Sequence, residues 1–101
     1  MQLELDRLDM HMGDYVRPLN VEIEDTLVLS DLLRETLVHY VPTIAEGWTF
    51  RALADDGPID IAKSGVSNRS PRLLVEDTPV GGLVKGGTLR IGARPTGPDV
   101  D

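Results

Sequence analysis

The first third of the chain alternates apolar and polar residues with the period of a strand. Leu3 and Leu5 alternate with acidic residues, and residues 19–24 repeat the same pattern. A period of two is typical of a strand that buries one face. Residues 11–18 between the two stretches contain turn-forming Gly, Asp and Pro. The pattern therefore predicts an antiparallel hairpin at the start of the fold.

The period changes after residue 28, where apolar residues recur at helical spacing. The members of this apolar stripe are Leu29, Leu32, Leu33, Leu37, Tyr40 and Val41. Such a stripe predicts an amphipathic helix that packs one side against a core. We expect the Ser30 hydroxyl to cap the first turn of this helix. Pro42 ends the helix, because a proline pushes the preceding residue out of the helical region.

Three further strands are predicted after the helix. Residues 48–54 are rich in strand-forming side chains, and the turn residues 55–58 separate them from the alternating residues 59–61. Residues 63–72 lack a period and are expected to form an exposed loop. Residues 88–91 supply a last strand. The order strand, strand, helix, strand, strand, strand indicates the α+β class.

Three passages resemble the ubiquitin-like family, whose fold is the β-grasp. They are Val21-Glu22-Ile23-Glu24 followed by residues 25–33, Phe50-Arg51-Ala52-Leu53 with the acidic turn and Ile59, and residues 83–91. The resemblance identifies a bacterial ubiquitin-like protein and implies a mixed sheet of four to five strands packed on one helix. It also implies that the first and last strands pair in parallel at the centre of the sheet. The residues that it places in one core are Leu3, Leu5, Val21, Ile23, Leu32, Leu37, Leu89 and Ile91.

The resemblance divides the chain into a domain, residues 1–91, and a flexible tail, residues 92–101. Ubiquitin-like modifiers and sulfur carriers act through a C-terminal pair of glycines, because only glycine lets an extended tail enter a narrow channel. This chain has a single Gly97 followed by Pro98. A modifier role therefore requires either a protease among the partners that removes residues 98–101, or conjugation chemistry that tolerates another terminus. Gly97 and Pro98 are the candidate residues for processing or conjugation.

Charge and composition exclude several classes of partner. The chain has 101 residues and a formal net charge of −7, and it has no cysteine. Nucleic acid is not an expected ligand, because a phosphate-binding surface needs clustered Lys and Arg. No apolar run reaches the roughly 18 residues of a membrane span, and the N-terminus does not resemble a signal peptide. A cytoplasmic protein is expected.

No motif in the sequence predicts catalysis, so we expect no enzyme activity, no cofactor and no metal. His11 and His39 have no partner at the spacing that a metal site or a general base requires. The candidate protein-contacting residues are Trp48, Phe50, Arg90 and Arg94. Two interpretations are kept for Trp48: its side chain lies in the core, or it is exposed on the sheet and contacts a partner.

Protein–protein binding is the predicted function, in three versions. In the first, the chain is a modifier that is conjugated through its processed tail, with activating or conjugating enzymes among its partners. In the second, it is a non-conjugated β-grasp binding module, such as the accessory proteins of bacterial secretion systems. In the third, motivated by the net charge of −7, it is an acidic inhibitor that mimics nucleic acid.

Overall fold

The alternating segments of the chain assemble into one mixed six-stranded sheet. The computed structural model describes residues 1–7, 19–41, 47–65, 70–85 and 87–95. The strands are β1 (Gln2–Arg7), β2 (Leu19–Glu22), β3 (Trp48–Ala54), β4 (Gly57–Ser64), β5 (Arg72–Leu73) and β6 (Thr88–Pro95). Their order across the sheet is β2-β1-β6-β3-β4-β5. β1 and β6 are parallel, and every other neighbouring pair is antiparallel.

One helical segment, residues 29–40, follows β2 and is called α1. It is α-helical over Leu29–Leu32, π-helical over Leu33–Leu37 and α-helical again over Val38–Tyr40. Val41 has extended backbone angles, φ −92° and ψ 146°, and ends the segment. The predicted apolar stripe is buried apart from the half-buried Tyr40, and Arg34, Glu35 and His39 are exposed. The prediction of an amphipathic helix is confirmed.

The core lies between α1 and one face of the sheet. β1 contributes Leu3 and Leu5, and β6 contributes Leu89 and Ile91, all of them buried. Because side chains alternate along a strand, these residues share the inner face and their neighbours point outward. Of the eight predicted core residues, the two on β2 and just after it are only half-buried, since β2 is an edge strand. These two are Val21 and Ile23.

The predicted count of four to five strands is wrong, because the described residues form six. The additional strand is β5, where Arg72 and Leu73 pair with Lys63 and Ala62 of β4. It lies at the end of the segment that was expected to be an exposed loop. A two-residue strand carries no period of its own, so its sequence pattern does not distinguish it from a loop.

The predicted start of the tail at residue 92 is also wrong. β6 continues to Pro95, and Gly92 and Ala93 pair with residues of both neighbouring strands. The glycine and proline residues of this segment favoured the prediction of a tail. Backbone pairing with both neighbouring strands keeps the segment in the sheet in spite of that composition. Residues 96–101, including Gly97 and Pro98, lie outside the described part of the chain.

The first turn of α1 is held by a distant loop rather than by its own cap. The Ser30 backbone N–H and hydroxyl donate to Asp77 Oδ1 and Oδ2 at 2.9 and 2.6 Å, and the Leu29 N–H donates to the Thr78 carbonyl at 2.9 Å. The position before the helix is Val28, whose side chain makes no capping hydrogen bond. The predicted Ser30 cap is therefore wrong, because its hydroxyl donates to Asp77 instead of accepting from the helix.

The same loop closes against the segment that precedes α1. The Val80 N–H donates to the Leu27 carbonyl at 2.8 Å, and the Gly81 N–H donates to the Asp25 carbonyl at 2.9 Å. Val80 is fully buried. A Cβ added at Gly81 would lie 3.1 Å from the Asp25 carbonyl oxygen, whereas at Gly82 it would meet nothing closer than 3.7 Å. At Gly81 two backbones approach closely, and a side chain there would require the Asp25 backbone to shift by a few tenths of an ångström.

None of the helical turns in the described ranges has the length and apolar composition that crossing a bilayer requires.

We predict that Gly81→Ala lowers the free energy of unfolding by about 1 kcal/mol relative to Gly82→Ala, because the added methyl group strains a hydrogen-bonded contact. Both changes remove the same flexibility from the unfolded chain, so Gly82→Ala is a matched control. Urea unfolding followed by circular dichroism measures the difference. Equal stabilities of the two variants would contradict this prediction, because the Asp25 backbone would then accommodate the methyl group without a measurable loss of stability.

We also predict a pH-dependent effect of Asp77→Asn. The hydrogen bond from the Ser30 hydroxyl, followed by that from the Ser30 backbone, lowers the pKa of Asp77. A lowered folded-state pKa stabilises the protein above the pKa of the unfolded chain, and this contribution is lost as the pH falls through the folded value. The wild type should thus be more stable than Asp77→Asn at neutral pH, and the difference should vanish in acid.

Thermal unfolding between neutral and strongly acidic pH measures this difference. The control is Asp56→Asn, since the Asp56 carboxylate makes no hydrogen bond or ion pair with the described residues and lies exposed in a turn. At neutral pH this variant should match the wild type in stability, because it removes no hydrogen bond between described residues. A constant gap between the wild type and Asp77→Asn over the whole range would contradict the assigned role of Asp77.

Candidate binding face

The sheet face opposite α1 carries charged side chains from five neighbouring strands, β1, β6, β3, β4 and β5, and is called the open face. Its outward-pointing residues on the central strands are exposed or half-buried, apart from the buried Thr49. On β1, β6 and β3 they alternate with the core residues, because each strand turns successive side chains to opposite sides. The open face includes Glu4, Asp6, Arg51, Leu53, Asp60, Lys63, Arg72, Arg90, Gly92 and Arg94.

Two hydrogen-bonded ion pairs between directly paired residues, and a third, longer ion pair, organise this face. Arg90 Nε donates to Glu4 Oε2 at 2.8 Å, and these residues are direct partners in the parallel β1–β6 pair. Arg51 Nε donates to Asp60 Oδ1 at 2.8 Å, and these are direct partners in the β3–β4 pair. Arg94 Nη2 lies 3.7 Å from Asp60 Oδ2. Strand register therefore positions the charged groups, as it does for cross-strand pairs in general.

The Arg51–Asp60 pair stays ionised at neutral pH. The hydrogen bond from Arg51 is the main cause that lowers the pKa of Asp60, and the nearby charges of Arg51 and Arg94 lower it further. The same hydrogen bond raises the pKa of Arg51. Both shifts move the titration away from neutrality, so neither group of this pair acts as a proton donor or acceptor near pH 7.

A depression of about 400 Å³ lies at the middle of the open face. Its floor is Gly92, which pairs with Asp6 of β1 on one side and with Arg51 of β3 on the other. Because glycine has no side chain, the outward position of this central strand is empty. Glu4, Arg90 and Leu53 also line the depression, and Leu53 is 49% exposed. The depression thus combines acidic, basic and apolar walls.

Basic side chains are concentrated on this face although the whole chain carries a net charge of −7. Strand alternation and register place on it five of the seven Lys and Arg side chains that the structure describes. These five are Arg51, Lys63, Arg72, Arg90 and Arg94. The described acidic side chains lie mostly in turns, loops and α1, so the open face is far less negative than the rest of the molecule.

The four predicted contact residues divide between the core and the open face. Arg90 and Arg94 lie on the open face with exposed side chains, 67% and 45%. Trp48 and Phe50 are 0% and 1% exposed, so neither can contact a partner at the surface, which corrects that part of the prediction. The alternation of β3 turns both aromatic rings toward α1. Core placement, one of the two interpretations kept for Trp48, is confirmed.

Arg51, Leu53 and Glu4 are members of the candidate site that the sequence did not single out. The alternation of residues 48–54 could have placed Arg51 and Leu53 opposite the aromatic residues of the same strand. Their proximity to Glu4 and Arg90 depends on pairing between strands far apart in the chain, for which a local pattern holds no signal. The described residues contain no group of three or more His, Asp or Glu side chains able to hold a metal ion.

Comparison with known proteins adds no relative: no protein-family model matches the chain, and neither a curated protein nor a solved structure matches it significantly.

We predict that Arg51→Gln raises the pKa of Asp60 toward the ordinary value of an aspartate, because the hydrogen bond that stabilises its ionised form is removed. Carboxyl-carbon NMR over an acid titration measures this pKa directly. The matched control is Arg34→Gln on α1, which removes the same charge from the other side of the molecule and should leave Asp60 unchanged. An unchanged Asp60 titration in Arg51→Gln would contradict the assigned ion pair.

Proposed function

We propose that the chain is a β-grasp protein of the ubiquitin-like type that binds another protein through the open face and performs no catalysis. The observation that carries this proposal is the pairing of the first and last described strands, β1 and β6, in parallel at the middle of a mixed sheet with α1 across one face. The three sequence passages that resemble the ubiquitin-like family point to the same arrangement. Within the described ranges, no helix or strand covers the face of this sheet opposite α1.

The character of the open face supports a protein partner. Interfaces commonly place arginine and apolar side chains near the centre of the contact, with polar groups around them. Here Leu53 is exposed beside the guanidinium groups of Arg51 and Arg90 at the central depression. The three groups lie on β3 and β6, two rigid central strands, so binding requires little ordering of the backbone.

The length of β6 favours the non-conjugated version of the proposal. β6 reaches Pro95, so Gly97 follows the end of the strand by only two residues. A modifier needs several unpaired residues before its reactive terminus, since that terminus must enter a narrow channel. A binding module has no such requirement. The basic residues of the open face likewise give no support to a nucleic-acid mimic, which presents arrayed carboxylates.

We predict that a photo-crosslinking residue at position 53, expressed in the native host, forms an adduct of defined mass with a partner protein. Leu53 is 49% exposed on the open face. The matched control position is Leu74, which is 45% exposed but follows β5 at the edge of the sheet. Mass spectrometry of the adducts identifies the partner. Adducts at position 74 alone, or equal adducts at both positions, would contradict binding through the open face.

With the partner identified, Leu53→Gln should weaken its binding about tenfold, because a central apolar contact is replaced by a polar one. Leu74→Gln should leave the affinity unchanged. Isothermal titration calorimetry measures both variants, and their melting temperatures establish that each is folded. Equal affinity of the wild type and Leu53→Gln would show that the Leu53 side chain makes no apolar contact that contributes to binding.

A further inference from the structure

We propose that the depression on the open face binds a carboxylate side chain from an acidic segment of the partner protein, which is held between the guanidinium groups of Arg51 and Arg90. This inference rests on the proposed function and adds the chemistry of the partner. Its basis is the arrangement of hydrogen-bond donors around the depression.

The guanidinium groups of Arg51 and Arg90 each have N–H donors that make no hydrogen bond within the described residues. A guanidinium group has five N–H donors in a planar fork. The hydrogen bonds of Arg51 and Arg90 within the described residues use only Nε, at 2.8 Å from Asp60 and Glu4 respectively. The two Nη atoms of each arginine therefore carry donors without a partner among the described residues. Four N–H groups on each side chain are available to an acceptor.

The neighbouring carboxylates position these donors. Glu4 and Asp60 hold the Nε atoms of arginines that lie directly opposite them in the sheet. Such contacts restrict the rotamers of two long side chains before any ligand arrives, which lowers the entropy lost on binding. A guanidinium fork oriented in this way matches the two oxygen atoms of a carboxylate. Glu4 and Asp60 are thus positioning residues for the proposed site.

The depression lies where a carboxylate could reach both arginines. Arg51 is directly opposite the floor residue Gly92, and Arg90 precedes Gly92 by two positions on β6, on the same face. Both arginines line the depression from adjacent strands, and no side chain of β6 fills the space between them. Leu53 at the rim offers an apolar surface to a residue next to the bound carboxylate. The site therefore fits an acidic segment that contains an apolar residue.

An acidic partner is favoured over a basic one by local chemistry despite the overall negative charge. Glu4 already accepts a hydrogen bond from Arg90, and Asp6 also has a partner. The Nη donors of Arg51 and Arg90, in contrast, have no acceptor among the described residues. Net charge acts at long range and is screened by salt within about 8 Å at physiological ionic strength, whereas the carboxylate would contact the guanidinium groups directly.

The test is an NMR titration of the full chain with short capped peptides. The Nε–Hε signals of Arg51 and Arg90 and the amide of Gly92 are the reporters. The probe is the acidic peptide acetyl-Glu-Glu-Leu-Glu-amide, and the matched peptides replace every Glu by Gln or by Lys. We expect the acidic peptide alone to shift all three reporters. A larger shift with the lysine peptide, or equal shifts with the glutamine peptide, would overturn the proposal.

Variants separate a guanidinium fork from simple charge. Arg51→Lys keeps the charge but loses the fork, and it should weaken binding of the acidic peptide about tenfold, as should Arg90→Lys. Arg34→Gln is the control, because it removes one positive charge on α1 and should leave the affinity unchanged. An equal loss of affinity in Arg34→Gln, or wild-type affinity in both lysine variants, would contradict binding of the carboxylate by the guanidinium forks of Arg51 and Arg90.

Two further outcomes distinguish this proposal from the function on which it rests. If position 53 crosslinks a partner in the host but the acidic peptide shifts no reporter, binding through the open face stands and the carboxylate site fails. If inorganic phosphate shifts the three reporters as much as the peptide does at equal concentration, the depression takes any small anion, and the proposed acidic segment fails.

Discussion

The parallel pairing of β1 with β6 is the constraint on which the rest of the structure depends. It joins the N-terminal hairpin to the antiparallel strands β3, β4 and β5, so without it the sheet would separate into two parts. Six consecutive residues of each strand are in register, from Gln2 with Thr88 to Arg7 with Ala93. The partners are more than 80 residues apart in the chain, and closing such a loop costs conformational entropy that only the completed core can offset.

The same register determines both faces of the sheet. It places Leu3 beside Leu89 and Leu5 beside Ile91 in the core, and between them it places Glu4 beside Arg90 on the open face. A slip of one residue would turn the leucines outward and the charged residues inward. Burial of the leucines therefore fixes the position of the Glu4–Arg90 pair. The candidate binding face is in this sense a consequence of the core.

The local sequence pattern was enough to predict most helices and strands, but not the contacts between elements that lie far apart in the chain. The apolar stripe of residues 29–41 and the alternation in β1, β3 and the start of β6 were predicted correctly because each pattern lies within one short segment. The hydrogen bonds from Ser30 to Asp77 span 47 positions, and no local signal announces them. Pairing also kept residues 92–95 in the sheet, although their glycine and proline suggested a tail.

The candidate site was predicted only in part for the same reason. Arg90 was identified as a possible contact and does lie on the open face, but its partner Glu4 and its neighbour Arg51 come from other strands. Trp48 and Phe50 were also predicted as possible contacts, and both lie in the core. In a chain with four aromatic side chains, the need for buried volume outweighs that preference.

Amide hydrogen exchange of the full chain tests the central claim most directly. If the pairing of β1 with β6 holds the sheet together, the hydrogen-bonded amides of these two strands should be among the slowest to exchange and should open together with those of β3, at the free energy of global unfolding. The contradicting result is exchange of β6 amides by local opening while β3 and β4 remain protected, since the sheet would then persist without its central pair.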